Sequence, residues 1–596
     1  MRTMHGTRGG GERGWALVFA VFVAFVAASM SSLMFLDSLT SHRVAMVNQR
    51  RAEASYRAEG AVEAGKKAVQ VAIASWAGVP AGGTVAIGGV AIPYTVAPTG
   101  YQETVTDPSG IQSQLTGYEI SATAERDGIQ ATVHRIITTE ATPIFQFAVF
   151  YSDDLEILPG PSMTLGGRVH SNADIYLGCG NTLTVDTNYC RAVGDMYRVR
   201  KNDPTQSSGT VRIRRWVADP FDIAEPVQYF AMNSISQMAA LGVATESGYD
   251  SAFTAGYDEH GDGDFDEPND WLPFAPGALE YWSEPDGYAG GTGTTVMTGE
   301  HGVQEAVTPD IGSIAMFEPS AGGDYVWDGV AGEYVAVAPG IGDYAKGFFH
   351  ATAGLVLIAH EDGTWQAEDG DGTDVTAAVA GAVRTKSLYD ARQGGAVQVI
   401  EVNVGLLNAS GKFPANGLLY AASYGNGEGT DCKGVELVNG AELLAPLTTV
   451  TEGAIYVKGD YNSTSKKGSA VIADAVNLLS NAWNDTKSGG TLPAASNTTY
   501  NLAFISGNHE TVGSSYNGGL ENLPRFHENW SGRNCVLTGS FVNTWFSFYA
   551  TGTWVYGGDR YQAPVRLWSY DEDFNDVANL PPFTPMVVSA HDVAVW

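Results

Sequence analysis

Trp15-Ala-Leu-Val-Phe-Ala-Val-Phe-Val-Ala-Phe-Val-Ala-Ala-Ser-Met-Ser-Ser-Leu-Met-Phe-Leu36 holds no charged residue, and its only polar side chains are three serines. A helix needs about 20 apolar residues to cross a bilayer. The stretch therefore predicts one membrane span, with Trp15, Leu17, Phe22, Phe25, Leu33 and Leu36 as its anchoring side chains. No turn follows it. Asp37 to Trp76 is rich in Ala, Glu, Arg, Lys and Gln, all strong helix formers. Val44, Val47, Ala54, Ala58, Val62, Val69 and Ile73 recur at steps of three, four or seven and form one apolar stripe. Gly60 and Gly65 weaken the middle of this helix, and Gly78-Val79-Pro80 ends it. Two partners suit the stripe: the protein's own β domain, or a neighbouring helix in a filament.

The 596 residues are too many for one compact core, so several domains are expected. A formal net charge of −33, from 66 acidic and 33 basic residues, argues against nucleic acid, because phosphate binding needs a basic face. The 72 glycines and 25 prolines imply frequent turns, and with 27 tyrosines and 13 tryptophans they point to a β-rich body. Among the four cysteines, Cys179 and Cys190 flank a loop-like segment. Their spacing suits a disulfide in an oxidising compartment, against the alternative of two buried thiols. A Cys432–Cys535 bridge is the weaker pairing.

Three readings fit the N-terminus: a cleaved signal peptide ending near Ala27-Ala28-Ser29, a plain signal anchor, and a pilin-like helix. Arg2, Arg8 and Arg13 precede the span, while Arg43, Arg50 and Arg51 follow it, so charge alone is nearly neutral on orientation. A large acidic body translocates largely regardless of charge, which places it outside. Arg13-Gly14-Trp15-Ala16-Leu17-Val18, the apolar run and the Ala/Glu-rich helix Arg51–Val69 resemble minor pilins of the PilX type and related pseudopilins. The resemblance implies prepilin cleavage between Gly14 and Trp15, helix packing in a filament, and pilin or pseudopilin subunits as partners. Major pilins carry glutamate at the fifth mature position. Phe19 stands there in this chain, so the likeness is to a minor or atypical member.

The expected fold class is mainly β with a long N-terminal helix. The helix leads into a small antiparallel sheet, then into a β-solenoid or β-sandwich body with an irregular insertion. The expected divisions are a basic leader (1–14), a transmembrane helix (15–36), a helical stalk (37–78), a pilin-like sheet (79–142), a first body segment (143–249), an acidic Gly-rich insertion (250–345) and a second body segment (346–596). Residues 83 to 140 alternate like strands, with a hairpin turn at Asp127-Gly128. Short strands cut by Gly and Asn run through 143–200 and return at Gly417–Ala422, Gly434–Leu444 and Gly453–Asn462, as in stacked coils sharing one core. Ala473–Trp483 reads as a strand entering a turn, or as a short helix. Six strings resemble segments of exported bacterial proteins with PilX-like N-termini: Gly166–Leu177, Leu388–Arg392, Ala415–Tyr420, Leu479–Asp485, Pro524–Ser531 and Asn579–Pro585. That resemblance implies a shared extracytoplasmic β fold and brings no activity.

The sharpest chemical motif is Asp258-Glu-His-Gly-Asp-Gly-Asp-Phe-Asp-Glu-Pro-Asn269. Calcium takes six to eight oxygens, and here Asp258, Asp262 and Asp266 fall on positions 1, 5 and 9 of an EF-hand-like loop, with glycine at 6. His260 and Asn269 depart from that pattern. Asp264 falls on the carbonyl position, and Asp270 is a substitute for the last ligand. The expected cofactor is calcium, against a solvated acidic loop. Asp369-Gly-Asp-Gly-Thr-Asp374 is a weaker echo.

Catalysis finds little support. The possible acid/base sets are His170 with Asp174 and Asp153-Asp154, His509 with Glu510, and His527 with Glu528, each read first as structural. There is no GxSxG or HExxH. Gly60–Lys66 mimics a P-loop, but Lys67 replaces the magnesium-binding hydroxyl and the segment lies inside a helix. Trp483, Trp530, Trp545, Trp554 and Trp568 suit a core first and sugar stacking second. The leading expectation is a non-enzymatic, membrane-anchored pilin-like surface protein, minor component or adhesin. Its body is periplasmic or extracellular and possible ligands are surface glycans. The alternative is an anchored glycan-binding or glycan-cleaving protein.

Overall fold

The structure is a computed structural model. It describes residues 12–76, 78–106, 110–187, 189–203, 208–214, 229–231, 296–299, 303–309, 311–315, 318–320, 323–328, 333–337, 347–359, 363–423, 434–486, 492–513, 515–548, 550–552, 554 and 560–595. The protein is mostly β, with one long N-terminal helix, an antiparallel sheet and a larger β body.

Helix α1 runs unbroken from Glu12 to Ala74. Its apolar stripe has a partner only in the C-terminal part, where Ala54, Ala58, Ala61, Val62 and Val69 are fully buried. Ala58, Ala61, Val62 and Val69 face Ile92, Val96, Ile120, Ala122, Val133 and Ile137 of a sheet. The sheet strands are β1 (Gly82–Ile87), β2 (Val90–Thr106), β3 (Gln112–Arg126) and β4 (Ile129–Pro143). Burying side chains such as Val62 and Ile120 contributes about 1.5–3 kcal/mol each. The two glycines that weaken the helix on propensity grounds serve this contact. A Cβ on Gly65 would sit 2.8 Å from Ile120 Cγ2, and one on Gly60 2.7 Å from Ile87 Cδ1. Asp127 and Gly128 both adopt positive φ (48° and 81°), as the two-residue turn joining β3 to β4 requires.

A fifth strand, Met586–Val595, completes this head. It pairs antiparallel with β4, Met586 opposite Pro143 and Val595 opposite Arg135. The sequence reading assigns 586–595 to the body, because a short apolar strand gives no clue to its pairing partner. The body is thus inserted between two neighbouring strands of the head sheet. It also braces the head, since Val307 makes an isolated antiparallel bridge with Val588.

The body is wound as coils. The first coil carries β5 (Val149–Tyr151), β6 (Leu155–Ile157) and β7 (Met163–Gly166). The second carries β8 (Val169–Ser171), β9 (Ile175–Leu177) and β10 (Thr182–Asp186), and the third β11 (Cys190–Ala192), β12 (Met196–Tyr197) and β13 (Thr210–Arg214). Equivalent strands pair in parallel: Val149 with Val169 and Val169 with Cys190, Leu155 with Ile175, Met163 with Leu183. Parallel pairing between successive turns belongs to stacked coils and not to an antiparallel sandwich. The second body segment joins the same ladder. Leu355–Ala359, Leu418–Ser423, Leu447–Lys458, Ser469–Leu479, Ala503–Ser506 and Phe541–Asn543 follow one another in parallel, and Phe541 pairs with Val149 of β5. Inward side chains of both segments form one apolar interior.

Ala473–Trp483 is mainly the end of the strand Ser469–Leu479 and not a helix. Within the expected irregular insertion, Glu318–Ser320, Gly323–Asp328 and Glu333–Val337 form a three-stranded antiparallel sheet.

Candidate functional site

The N-terminal part of α1 leaves its apolar side chains exposed. Trp15, Leu17, Phe22, Phe25, Leu33 and Leu36 are all more than half exposed, and the apolar window has no buried residue. By length and composition this helix can cross a membrane. Two hydroxyls here bond back to the helix: Ser32 Oγ donates to the Ala28 carbonyl and Thr40 Oγ1 to the Leu36 carbonyl, each at 2.8 Å. That satisfies groups that lipid would leave unpaired. Gly14 lies in the first turn of α1. The head begins where Arg50 pairs with Asp127 at 3.3 Å and Arg126 with Glu53 at 3.0 Å. Between Leu36 and Arg50 the helix rises about 21 Å.

The loop ligands Asp258, His260, Asp262, Asp264, Asp266, Asn269 and Asp270 lie outside the described residues, as does Cys432. The weaker calcium echo is a self-contained turn. Asp369 Oδ1 accepts from the Asp371 and Thr373 amides and its Oδ2 pairs with Lys412, while Asp374 accepts from the Thr376 amide. The expected Cys179–Cys190 bridge is not formed. Both are buried thiols outside any disulfide. Cys179 Sγ donates toward the Asn181 and Thr210 carbonyls, and Cys190 opens β11, in register with Val169. Loop spacing suggested a closure that the coil path does not make.

His170 is not paired with Asp174. It stacks on Phe150 at 4.9 Å and 9° and contacts Asn172 Oδ1 through Nε2 at 3.0 Å. Asn172 Oδ1 also accepts from the Ala306 amide while its Nδ2 donates to the Ala306 carbonyl, so the histidine nitrogen is the donor. Burial pushes this imidazole down to about 4, which keeps it neutral. Asp174 instead accepts from the Asp195 amide and the Tyr176 hydroxyl.

His527 and Glu528 lie in a buried polar network that the sequence did not reveal as a unit. Three of the six resembling strings converge there: Leu388–Arg392, Leu479–Asp485 and Pro524–Ser531. His527 Nε2 contacts Asn477 Oδ1 at 2.9 Å, and its Nδ1 lies 3.4 Å from Asp390 Oδ1. Tyr456 donates to Asp390 Oδ2 at 2.7 Å. Burial pushes the Asp390 carboxyl up, but His527, Arg525 and the tyrosine overcome it and hold it at about 2. Arg525 donates to the Ala550 and Gly552 carbonyls and Arg392 to those of Phe526 and Trp554. Glu528 accepts from the Ser480 amide and hydroxyl. These groups are sealed from solvent and pin loops together, which suits structure better than acid/base work.

Two open features of the coil body stand out among the described residues. A polar groove of about 580 Å³ runs along the coils, lined by Arg384, Glu401, Asn403, Lys458, Asp460 and Asn481. Beside it the Lys386 ammonium bonds Glu401, Glu436 and Asp485 together, and those three carboxylates lie within 4.8 Å of one another. A smaller cavity of about 80 Å³ gathers Asp153, Asp154, His509 and Glu510, residues from two separate sequence candidates, with Glu156, Lys201 and Asn508. The five C-terminal tryptophans are all buried in the body and line neither feature.

No protein-family model matches this chain, and no curated protein does. A solved structure that matches is the competence-associated pilin ComZ from Thermus thermophilus, 11% identical, covering 92% of this chain and 97% of that one. The TM-score is 0.24, so the superposition is too loose to transfer a fold or a function.

Proposed function

We propose that this chain is a non-enzymatic, membrane-anchored pilin-like envelope protein of the PilX type. Its α1 sits in the inner membrane or among pilin or pseudopilin subunits of a filament, and its body is displayed outside as a minor component or adhesin. The observation that carries the reading is α1 itself, one continuous helix. Its charge-free N-terminal segment is exposed while its C-terminal part is buried on the head sheet. A surface of large apolar side chains this long has no place in water and calls for lipid or other helices.

The test is fractionation of cells that produce the native protein. The reading expects the chain to stay with membranes or sheared filaments after an alkaline wash, with its body open to protease added from outside. A body recovered in the soluble fraction, or one protected from outside protease in opened cells, overturns it.

The glycan-binding alternative draws support from the polar groove at Arg384 and Lys458. The burial of Trp483, Trp530, Trp545, Trp554 and Trp568 takes those rings away as a stacking platform. Glycan-array binding lost in Arg384→Ala would favour it.

A further inference from the structure

We propose that the cavity between β6 and the loop Asn508–Thr511 is a calcium site, with Asp153, Glu156 and Asn508 as its principal ligands and Asp154 and Glu510 at its edge. The donors are carboxylate and amide oxygens, the set that hard cations take. The nearby imidazole is engaged elsewhere, since His509 Nε2 contacts the Thr551 carbonyl at 2.9 Å.

Two buried acceptor atoms at this cavity make no hydrogen bond of ordinary geometry. Glu156 is 1% exposed. Its Oε1 accepts from Thr511 Oγ1, while its Oε2 makes no such bond although the Lys201 amide lies near the carboxylate. Asn508 is 6% exposed, and its Oδ1 also makes none. Buried acceptors of this kind are rare in folded proteins and ask for an ion, a water or a donor. Burial pushes the Glu156 carboxyl up. Thr511, the Lys201 amide and the charges of Lys201 and Arg200 oppose that push without cancelling it.

The nearby cation does not complete the set. Lys201 Nζ lies 2.6 Å from Asp154 Oδ2 and 3.7 Å from Glu510 Oε1, and no ion pair forms at Asp153 or Glu156 among the described residues. In the second acidic cluster the Lys386 ammonium contacts Glu401, Glu436 and Asp485 together, so an internal cation lies where a metal would. At the cavity Lys201 reaches Asp154 and Glu510 but neither Asp153 nor Glu156. Calcium suits it better than magnesium, because calcium accepts irregular oxygen shells at about 2.3–2.6 Å whereas magnesium demands near-octahedral geometry.

The test is calcium titrated alone into the full-length chain in detergent, with bound equivalents counted by equilibrium dialysis. Four proteins are compared: the parent, Glu156→Gln, Asp153→Asn, and the double variant Asp258→Asn/Asp262→Asn, which disables the separate loop candidate. The inference expects Glu156→Gln and Asp153→Asn each to bind one equivalent fewer, or to weaken one site at least about tenfold. It expects the loop double variant to keep that equivalent. Asp153 is exposed, so its variant decides the matter if Glu156→Gln fails to fold. Unchanged binding in Asp153→Asn and any folded Glu156→Gln, a parent that binds no calcium, or loss of all binding in the loop variant alone overturns it.

Discussion

Gln70 on α1 donates through Nε2 to the Val588 carbonyl at 3.1 Å, in a buried contact that joins residues 518 positions apart. Lys66 and Asp592 repeat the link at 3.0 Å. Helix α1 is therefore clamped by the strand Met586–Val595, and the coil body is inserted between that strand and β4. Deleting Met586 to Trp596 is expected to expose the β4 edge and the face of α1 that Ala590 covers. The head should then be lost before the body, seen as rapid proteolysis at residues 79–143 while the coil interior stays protected from hydrogen exchange.

Gly65 marks the closest approach of α1 to the sheet. Gly65→Val is expected to gain helix propensity yet destabilise the head by about 1–3 kcal/mol, because the added carbons meet Ile120 and Tyr94. Chemical denaturation of the head, followed by the exchange of α1 amides, checks the sign.

His170 makes stability depend on pH. The native fold holds the ring neutral down to about 4, whereas the unfolded chain takes up the proton near the ordinary value of 6.5. The unfolded state thus binds more protons between those two values. The contribution of the buried neutral ring is complete above 6.5, drains as pH falls and is gone by about 4, a loss of about 3 kcal/mol. His170→Phe should flatten the melting temperature across that window. A slope as steep as the parent's would refute the assignment.

Lys386 holds three carboxylates together, and Glu436 among them is fully buried. Lys386→Met should cost about 3–5 kcal/mol by leaving the buried Glu436 without a cation, while Arg384 still holds Glu401 and Lys458 still holds Asp485. Millimolar calcium should restore part of the loss, since the three carboxylates are close enough to share one ion. Melting curves with calcium and with chelator distinguish this from a loss of packing.

The long helix was legible because its apolar run, stripe and terminator are local signals. The hairpin at Asp127-Gly128 was legible for the same reason. The coils showed in the rhythm of short strands and glycines, but which coil lies on which did not. Phe541 meets Val149 only because the second body segment starts at the far end of the ladder, at Leu355–Ala359, and runs back to β5. Pairing across such distances leaves no periodic trace in a single sequence. The candidate cavity shows the same limit. Asp153-Asp154 and His509-Glu510 were visible as separate acidic spots, while Glu156 and Asn508, which lie deepest in it, sat in segments that read as ordinary strand and loop. The Cys179–Cys190 bridge failed because proximity in sequence does not fix proximity of sulfurs on neighbouring coils.

The central claim is that the apolar segment of α1 stays in the mature protein as a pilin-like anchor. N-terminal sequencing of the protein purified from its native membrane tests it most directly. The account predicts a mature chain that starts at Trp15, with Gly14 removed and the whole span to Leu36 retained. A chain that starts at Ser29 or beyond would contradict it, because the segment would then be a discarded export signal.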